Sequence, residues 1–155
     1  MRVRPQTPRT DLIREILPPE TGLAFDAMRA LRAHYSSLDQ FVRRVDEDQR
    51  PQGYRIVGVF DDDGRCSAVA GFRLIRNLAW GDCLYVDDLS TLPDARRRGH
   101  GRALLHWCLE EARRLGCGEL HLDSGVGPER EAAHRLYFNA GLRITSYHFA
   151  RGVPT

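Results

Sequence analysis

The chain has 155 residues, 42% of them hydrophobic, 28% charged and 8% aromatic, with a formal net charge of +2. Those figures suit one globular domain and exclude a wholly disordered or collagen-like chain, while +2 is too weak a balance to mark a nucleic-acid binder. All 23 basic side chains are arginine, so neither a phosphate-loop lysine nor a Schiff-base lysine for pyridoxal phosphate is present.

Residues 1–10 hold two prolines and three arginines and little that would anchor them, so they read as a loose lead-in to a single domain over 11–155. Residues 12–17 read as a first strand, stopped by Pro18-Pro19. Thr21 can cap a helix in which Leu23, Ala27, Ala30 and Leu31 recur at near-helical spacing. Ser36 or Ser37 opens a second, charged helix with Leu38, Phe41, Val42 and Val45 on its buried side, ended by Pro51-Gln52-Gly53. The period then changes to that of strands over 54–60, with Asp61-Asp62-Asp63-Gly64 as a tight turn into a second strand over 66–78. A further strand spans 83–91.

From 101 to 115 the period is helical again, with Leu104, Leu105, Cys108, Leu109, Ala112 and Leu115 forming an apolar stripe. Gly116 or Gly118 stands where a helix end wants a left-handed residue. A short strand over 119–123, a loop, a helix near 129–140 closed by Gly141, and a last strand over 142–150 complete the chain. The sum is a mixed α/β fold with a strand–helix–strand–helix–strand second half.

Cys66, Cys83, Cys108 and Cys117 form no C-x-x-C pair and read as reduced, mostly buried thiols. The histidines make no metal signature; His121 and Asp123 share a strand face, but no third ligand accompanies them, so no metal is expected. The aspartate run 61–63 lacks the rest of a calcium loop and reads as a solvated turn. No apolar run approaches the ~20 residues that cross a bilayer, and no apolar stretch follows Met1–Pro5, so no membrane or secretory role is expected and the cytoplasm is the default compartment.

The stretch that carries chemistry is residues 84–105: a strand, an Arg/Gly loop, then the start of an amphipathic helix. Free amides and the positive dipole end of such a helix bind anions. Gly99 and Gly101 let the backbone close on a phosphate, and Arg96, Arg97, Arg98 and Arg102 surround it with charge. A dinucleotide fingerprint does not fit, because position 104 is Leu where a third glycine is needed.

The sequence resembles the GNAT superfamily of N-acetyltransferases. Its cofactor loop, [QR]-x-x-G-x-[GA], stands here as Arg96-Arg97-Arg98-Gly99-His100-Gly101. Its later helix motif stands as Ala133-His-Arg-Leu-Tyr137-Phe-Asn-Ala-Gly141-Leu142. One departure is Arg130, seven residues before Tyr137, where many members carry Asn. The resemblance covers residues 54–150 well, and 10–50 by helix pattern alone.

The resemblance implies a central, mostly antiparallel, twisted sheet of six to seven strands flanked by about four helices and splayed at the cofactor site. It implies acetyl-CoA as co-substrate, held by the amides of 97–102, with Arg96 and His100 fronting the loop and the strand edge Leu89-Ser90-Thr91 pairing with the pantetheine arm. The Leu89 amide would stabilise the oxyanion of a tetrahedral intermediate. Tyr137 would protonate the departing thiolate. A base must also deprotonate the acceptor amine. Asp87 and Asp88 are the candidates, on opposite faces unless a bulge intervenes, with Asp88 favoured. His121, His134 and His148 are alternative bases, although a structural role suits each.

The activity expected is therefore acetyl transfer from acetyl-CoA to a primary amine of unknown identity, in a chain that pairs with a second copy through its C-terminal strands, as is common in the family. A non-catalytic acyl-CoA-binding or regulatory domain is the alternative. A nucleic-acid binder using Arg96–Arg98 with Arg113–Arg114 is a third reading, without a reading helix or stacking aromatics behind it.

Overall fold

The computed structural model describes residues 11–155; the lead-in expected over 1–10 lies outside the described residues. Five strands form one sheet in the order β1-β2-β3-β4-β5: β1 (Leu12–Ile16), β2 (Arg55–Phe60), β3 (Cys66–Asn77), β4 (Gly81–Thr91) and β5 (Glu119–Leu122). Neighbours from β1 to β4 are antiparallel, and β4 and β5 are parallel. Helix α1 (Phe25–Leu31) follows a 3-10 turn over Glu20–Ala24, and α2 (Leu38–Arg43) runs on through a π-helical stretch. Helix α3 (His100–Arg114) makes the crossover from β4 to β5, and α4 (Glu131–Asn139) follows β5. The mixed α/β class and the four helices match the expectation from sequence.

Local chemistry explains the boundaries. The Ser37 hydroxyl accepts a hydrogen bond from the Gln40 amide (3.1 Å), capping α2 and supplying one of the partners a helix start lacks. Gly53, at φ +92°, ends that helical run, and Gly116, at φ +74°, ends α3. Asp61 turns β2 into β3: its carboxylate accepts from the amides of Asp63 and Arg65, and Gly64 takes a positive φ.

Strand alternation sends Ile56 to one face and Val57 and Val59 to the other, so two cores form. Ile16, Phe25, Met28, Phe41 and Val69 pack under α1 and α2. Val57, Phe72, Leu84, Val86, Leu104 and Cys108 pack under α3. Leu104 and Leu105 are fully buried, each worth about 1.5–3 kcal/mol of transferred apolar surface. Leu109 is 36% exposed at the edge of that stripe.

The strand count is five among the described residues, rather than six to seven. Residues 142–150 have the β-branched and aromatic residues of a strand, yet they join no strand of the sheet. The Leu142 amide donates to the Tyr137 carbonyl at the end of α4 (3.0 Å), and the chain beyond it forms no regular element. A strand needs a ladder partner as well as a suitable composition. The arm therefore exposes Ile144, Tyr147, Phe149 and Val153 by 75%, 85%, 91% and 87%.

Candidate active site

The site begins with an irregularity in β4. Gly71 of β3 lies opposite Asp88 and the next residue, Phe72, opposite Val86, so Asp87 is an extra residue, a β-bulge. On the other side of β4, pairing with β5 stops at Val86 and Leu122. Beyond that point β4 continues to Thr91 beside β3 alone, and the sheet opens between its fourth and fifth strands.

The direction of the amides along that open edge follows from one hydrogen bond. The Leu92 amide donates to the Ser67 carbonyl of the β3 side (2.9 Å). Successive amides of a strand alternate in direction, so Ser90 faces β3 as well. Leu89 and Thr91 therefore aim their N–H groups into the gap that β5 has left. Ser90 itself is buried.

Past β4 the backbone turns sharply into the start of α3. Arg97 stands at φ +64° and Gly99 at φ +81°, two left-handed residues that bracket Arg98. The first helical bond of α3 runs from the Ala103 amide to the Gly99 carbonyl (3.0 Å), which leaves the amides of His100, Gly101 and Arg102 without helical partners. Arg96, Arg97, Arg98 and Arg102 are exposed and make no ion pair among the described residues. Unpaired amides, the positive end of a 15-residue helix and four guanidinium groups outside any ion pair, of which Arg96 donates to the Thr91 carbonyl (3.4 Å), suit a diphosphate. Gly101 serves packing too: a Cβ there would lie 2.9 Å from Leu136 Cδ2, so its absence lets α4 close on the start of α3. His100 is buried, with Nδ1 3.8 Å from Asp11 Oδ2.

A cavity of about 180 Å³ lies at the opening, with Val86, Asp87, Leu89, Leu122, Asp123 and Tyr137 in its wall, and with Arg32 and Arg130 beside them. The bulge gives the two aspartates different surroundings. Both Asp88 oxygens are engaged: Oδ1 accepts from Arg32 Nε (2.7 Å) and Oδ2 from the Tyr54 hydroxyl (2.6 Å). Tyr54 reaches it by crossing β3 over Gly71, where any Cβ would collide with the phenol. Burial first, then the charge of Asp88, pushes the Tyr54 hydroxyl well above its ordinary value, so it stays a donor. Asp87 instead lines the cavity, and Arg73 Nε lies 3.0 and 3.1 Å from its two oxygens. Burial raises the Asp87 carboxyl above its ordinary value against the pull of Arg73.

Tyr137 comes from α4 and is 9% exposed. The helix start is held by His134, whose Nε2 lies 2.7 Å from the Gly125 carbonyl and 3.1 Å from Ser124 Oγ. His121 stacks on Trp80 (centroids 3.9 Å), and His148 Nδ1 lies 3.4 Å from Asp123 Oδ2. Asp123 also accepts from the Tyr85 hydroxyl. Among the described residues no group of three or more His, Cys, Asp or Glu could hold a metal, and no helix is long and apolar enough to cross a membrane.

Sequence reasoning missed Arg32, Tyr54 and Arg73, which hold the two aspartates, and did not place Asp123 at the cavity. None of them belongs to a contiguous motif. Gly71 was the available signal, since a glycine inside a strand marks a close approach of another group.

This is the layout of an α/β domain whose opened sheet edge and loop suit an extended anionic ligand. A model of the acetyltransferase (GNAT) family matches residues 13–141, and the chain belongs to that family. It is 27% identical over 135 residues to the uncharacterized N-acetyltransferase YhdJ of Bacillus subtilis (strain 168), covering 86% of this chain and 92% of that one. Its fold is similar to that of a Trypanosoma brucei acetyltransferase, at TM-score 0.76 and 18% identity over 92% of this chain and 99% of that one. It is also similar to the aminoglycoside N-acetyltransferase AAC(6')-Iy, solved in complex with CoA, at TM-score 0.73 and 16% identity over 96% and 99%.

Proposed function

We propose that the protein transfers an acetyl group from acetyl-CoA to a primary amine by direct attack. The observation that carries this reading is the single line formed by the cradle at Arg97–Arg102, the free edge at Leu89 and Thr91, and the cavity beyond. A diphosphate in the cradle directs the pantetheine arm along β4 and its thioester into the cavity. The Leu89 amide then points at the carbonyl oxygen, where negative charge develops, and Tyr137 stands on the leaving-group side as general acid.

In this reading Asp87, which faces the cavity, takes the amine proton. Asp88, committed to Arg32 and Tyr54, fixes the bulge that turns Asp87 inward. Arg32 Nη2 also donates to the Asp87 carbonyl (3.0 Å), which pins the same peptide from the side of α1. The arginines at 96–98 serve coenzyme phosphates here rather than nucleic acid. Burial drives the Cys66 and Cys108 thiols up to about 12, and such inert thiols suit a reducing compartment such as the cytoplasm.

The test is calorimetry with acetyl-CoA, followed by thiol release with a panel of amines. Binding with turnover supports the reading. Binding without turnover on any amine supports the acyl-CoA-binding alternative, and no binding removes both. Gly99→Val strains a backbone at φ +81° and should weaken acetyl-CoA binding at least tenfold; an unchanged affinity counts against the cradle.

The reading includes a homodimer. Its support is the arm over 142–153, which exposes four large apolar side chains, beside a β5 whose outer edge is unpaired. The arm of one copy on the β5 edge of the other would satisfy both. Light scattering should give a dimer for the full chain and a monomer for Ile144→Asp with Phe149→Asp. A monomeric full chain at micromolar concentration sinks this part.

A further inference from the structure

Of the arginines at the cavity itself, Arg32 is paired with Asp88, and Arg73 reaches the cavity-lining Asp87. Arg130 is different. It stands at the N-cap of α4, half-buried, lines the same cavity as Tyr137 and Leu89, and makes no ion pair among the described residues. Its stem lies over Gly125, where an added Cβ would meet Arg130 Cγ at 3.4 Å. Tyr137 follows seven residues later on α4, about two helical turns on, and both side chains line the one cavity.

A guanidinium beside a cavity and without an ion-pair partner is placed to meet negative charge that develops there. The proposed reaction creates negative charge twice: on the carbonyl oxygen, which faces the Leu89 amide of β4, and on the departing sulfur, which faces α4. Arg130 is on the second side. We propose that Arg130 stabilises the coenzyme thiolate as it leaves, working beside Tyr137; this rests on the acetyltransferase reading above.

The step balances as follows. The amine nitrogen bonds to the thioester carbon and its proton passes to Asp87. The carbon–sulfur bond breaks and its electron pair stays on sulfur. Tyr137 gives its hydroxyl proton to that sulfur and regains one from solvent, while Asp87 releases the amine proton to solvent. Arg130 transfers no proton and holds the charge on sulfur until the proton arrives.

The consequence can be read without turnover, from the thiol of bound CoA. An opposite charge within hydrogen-bonding range favours the ionised form by about 1–3 pH units. Titrating the thiolate ultraviolet absorbance of CoA bound to the whole chain should therefore give a pKa at least one pH unit lower for wild type than for Arg130→Gln. Arg130→Lys, which keeps the charge, should retain most of that lowering. Steady-state kinetics should show Arg130→Gln losing kcat about tenfold or more, with the acceptor KM little changed.

The outcomes separate the two layers of argument. If CoA does not bind wild type, the acetyltransferase reading fails first. If CoA binds with equal thiol pKa values in wild type and Arg130→Gln, the Arg130 inference is wrong and the reading stands. A change confined to acceptor KM would mean that Arg130 recognises the acceptor, and a change confined to CoA affinity would mean that it anchors the coenzyme; either result overturns its role at sulfur.

Discussion

Tyr137→Phe should lower kcat by about 10²–10³ while acetyl-CoA binds as tightly as before. The ring is 9% exposed and packs in the wall of the cavity, so phenylalanine keeps the packing and removes only the hydroxyl. What is lost is a proton donor at the moment the carbon–sulfur bond breaks. The sulfur must then leave as a free thiolate, and the remaining rate should depend on how well that anion is held. Arg130 is the group at hand for this, so the double variant Tyr137→Phe with Arg130→Gln should lose more than the product of the two single losses. Calorimetry on the single variant separates binding from chemistry, and stopped thiol release gives kcat. A Tyr137→Phe enzyme with full kcat would mean that the tyrosine is only a packed aromatic.

What is legible in this sequence is what is local. The stripe of α3 sets its span of His100–Arg114 within one residue of the expected 101–115, because Leu104, Leu105 and Cys108 repeat at helical spacing. The cap at Ser37 and the turn at Asp61–Gly64 are likewise written in a few neighbouring residues. The loop 96–101 is contiguous and can be read as a unit, although the left-handed backbone at Arg97 and Gly99 comes only from the structure. The surroundings of the aspartates are of another kind. Arg32 reaches Asp88 across 56 positions and Tyr54 reaches it across 34. Neither contact leaves a pattern along the chain. The bulge at Asp87 is equally silent, since alternation alone puts Asp87 and Asp88 on opposite faces and says nothing of which one meets the cavity. The arm over 142–153 shows the same limit from the other side: its residues specify an extended, half-buried strand, while the surface that would half-bury it is not supplied by the described part of this copy.

Asp87→Asn should remove the acid limb of the pH–rate profile and cost about 10²-fold in kcat/KM at neutral pH. As a base the carboxyl must be ionised, so the wild-type rate should rise as pH climbs through its pKa. Burial places that pKa above the ordinary 3.8, with Arg73 pulling it back down. Arg73→Gln should therefore move the limb to higher pH, and the acceptor amine adds a separate, more alkaline rise of its own. The stability effect has the opposite sign to the catalytic one. A carboxyl whose folded pKa is raised binds its proton more tightly folded than unfolded, so stability falls as pH rises from the ordinary value through the raised one. Ionised Asp87 is thus a cost that the fold carries at neutral pH, and asparagine avoids it. Arg73, 42% exposed, remains solvated when its partner is neutral. Asp87→Asn should accordingly melt no lower than wild type at pH 7 while losing its activity, whereas a base in name only, held at the site for structure, would lose stability and keep its rate.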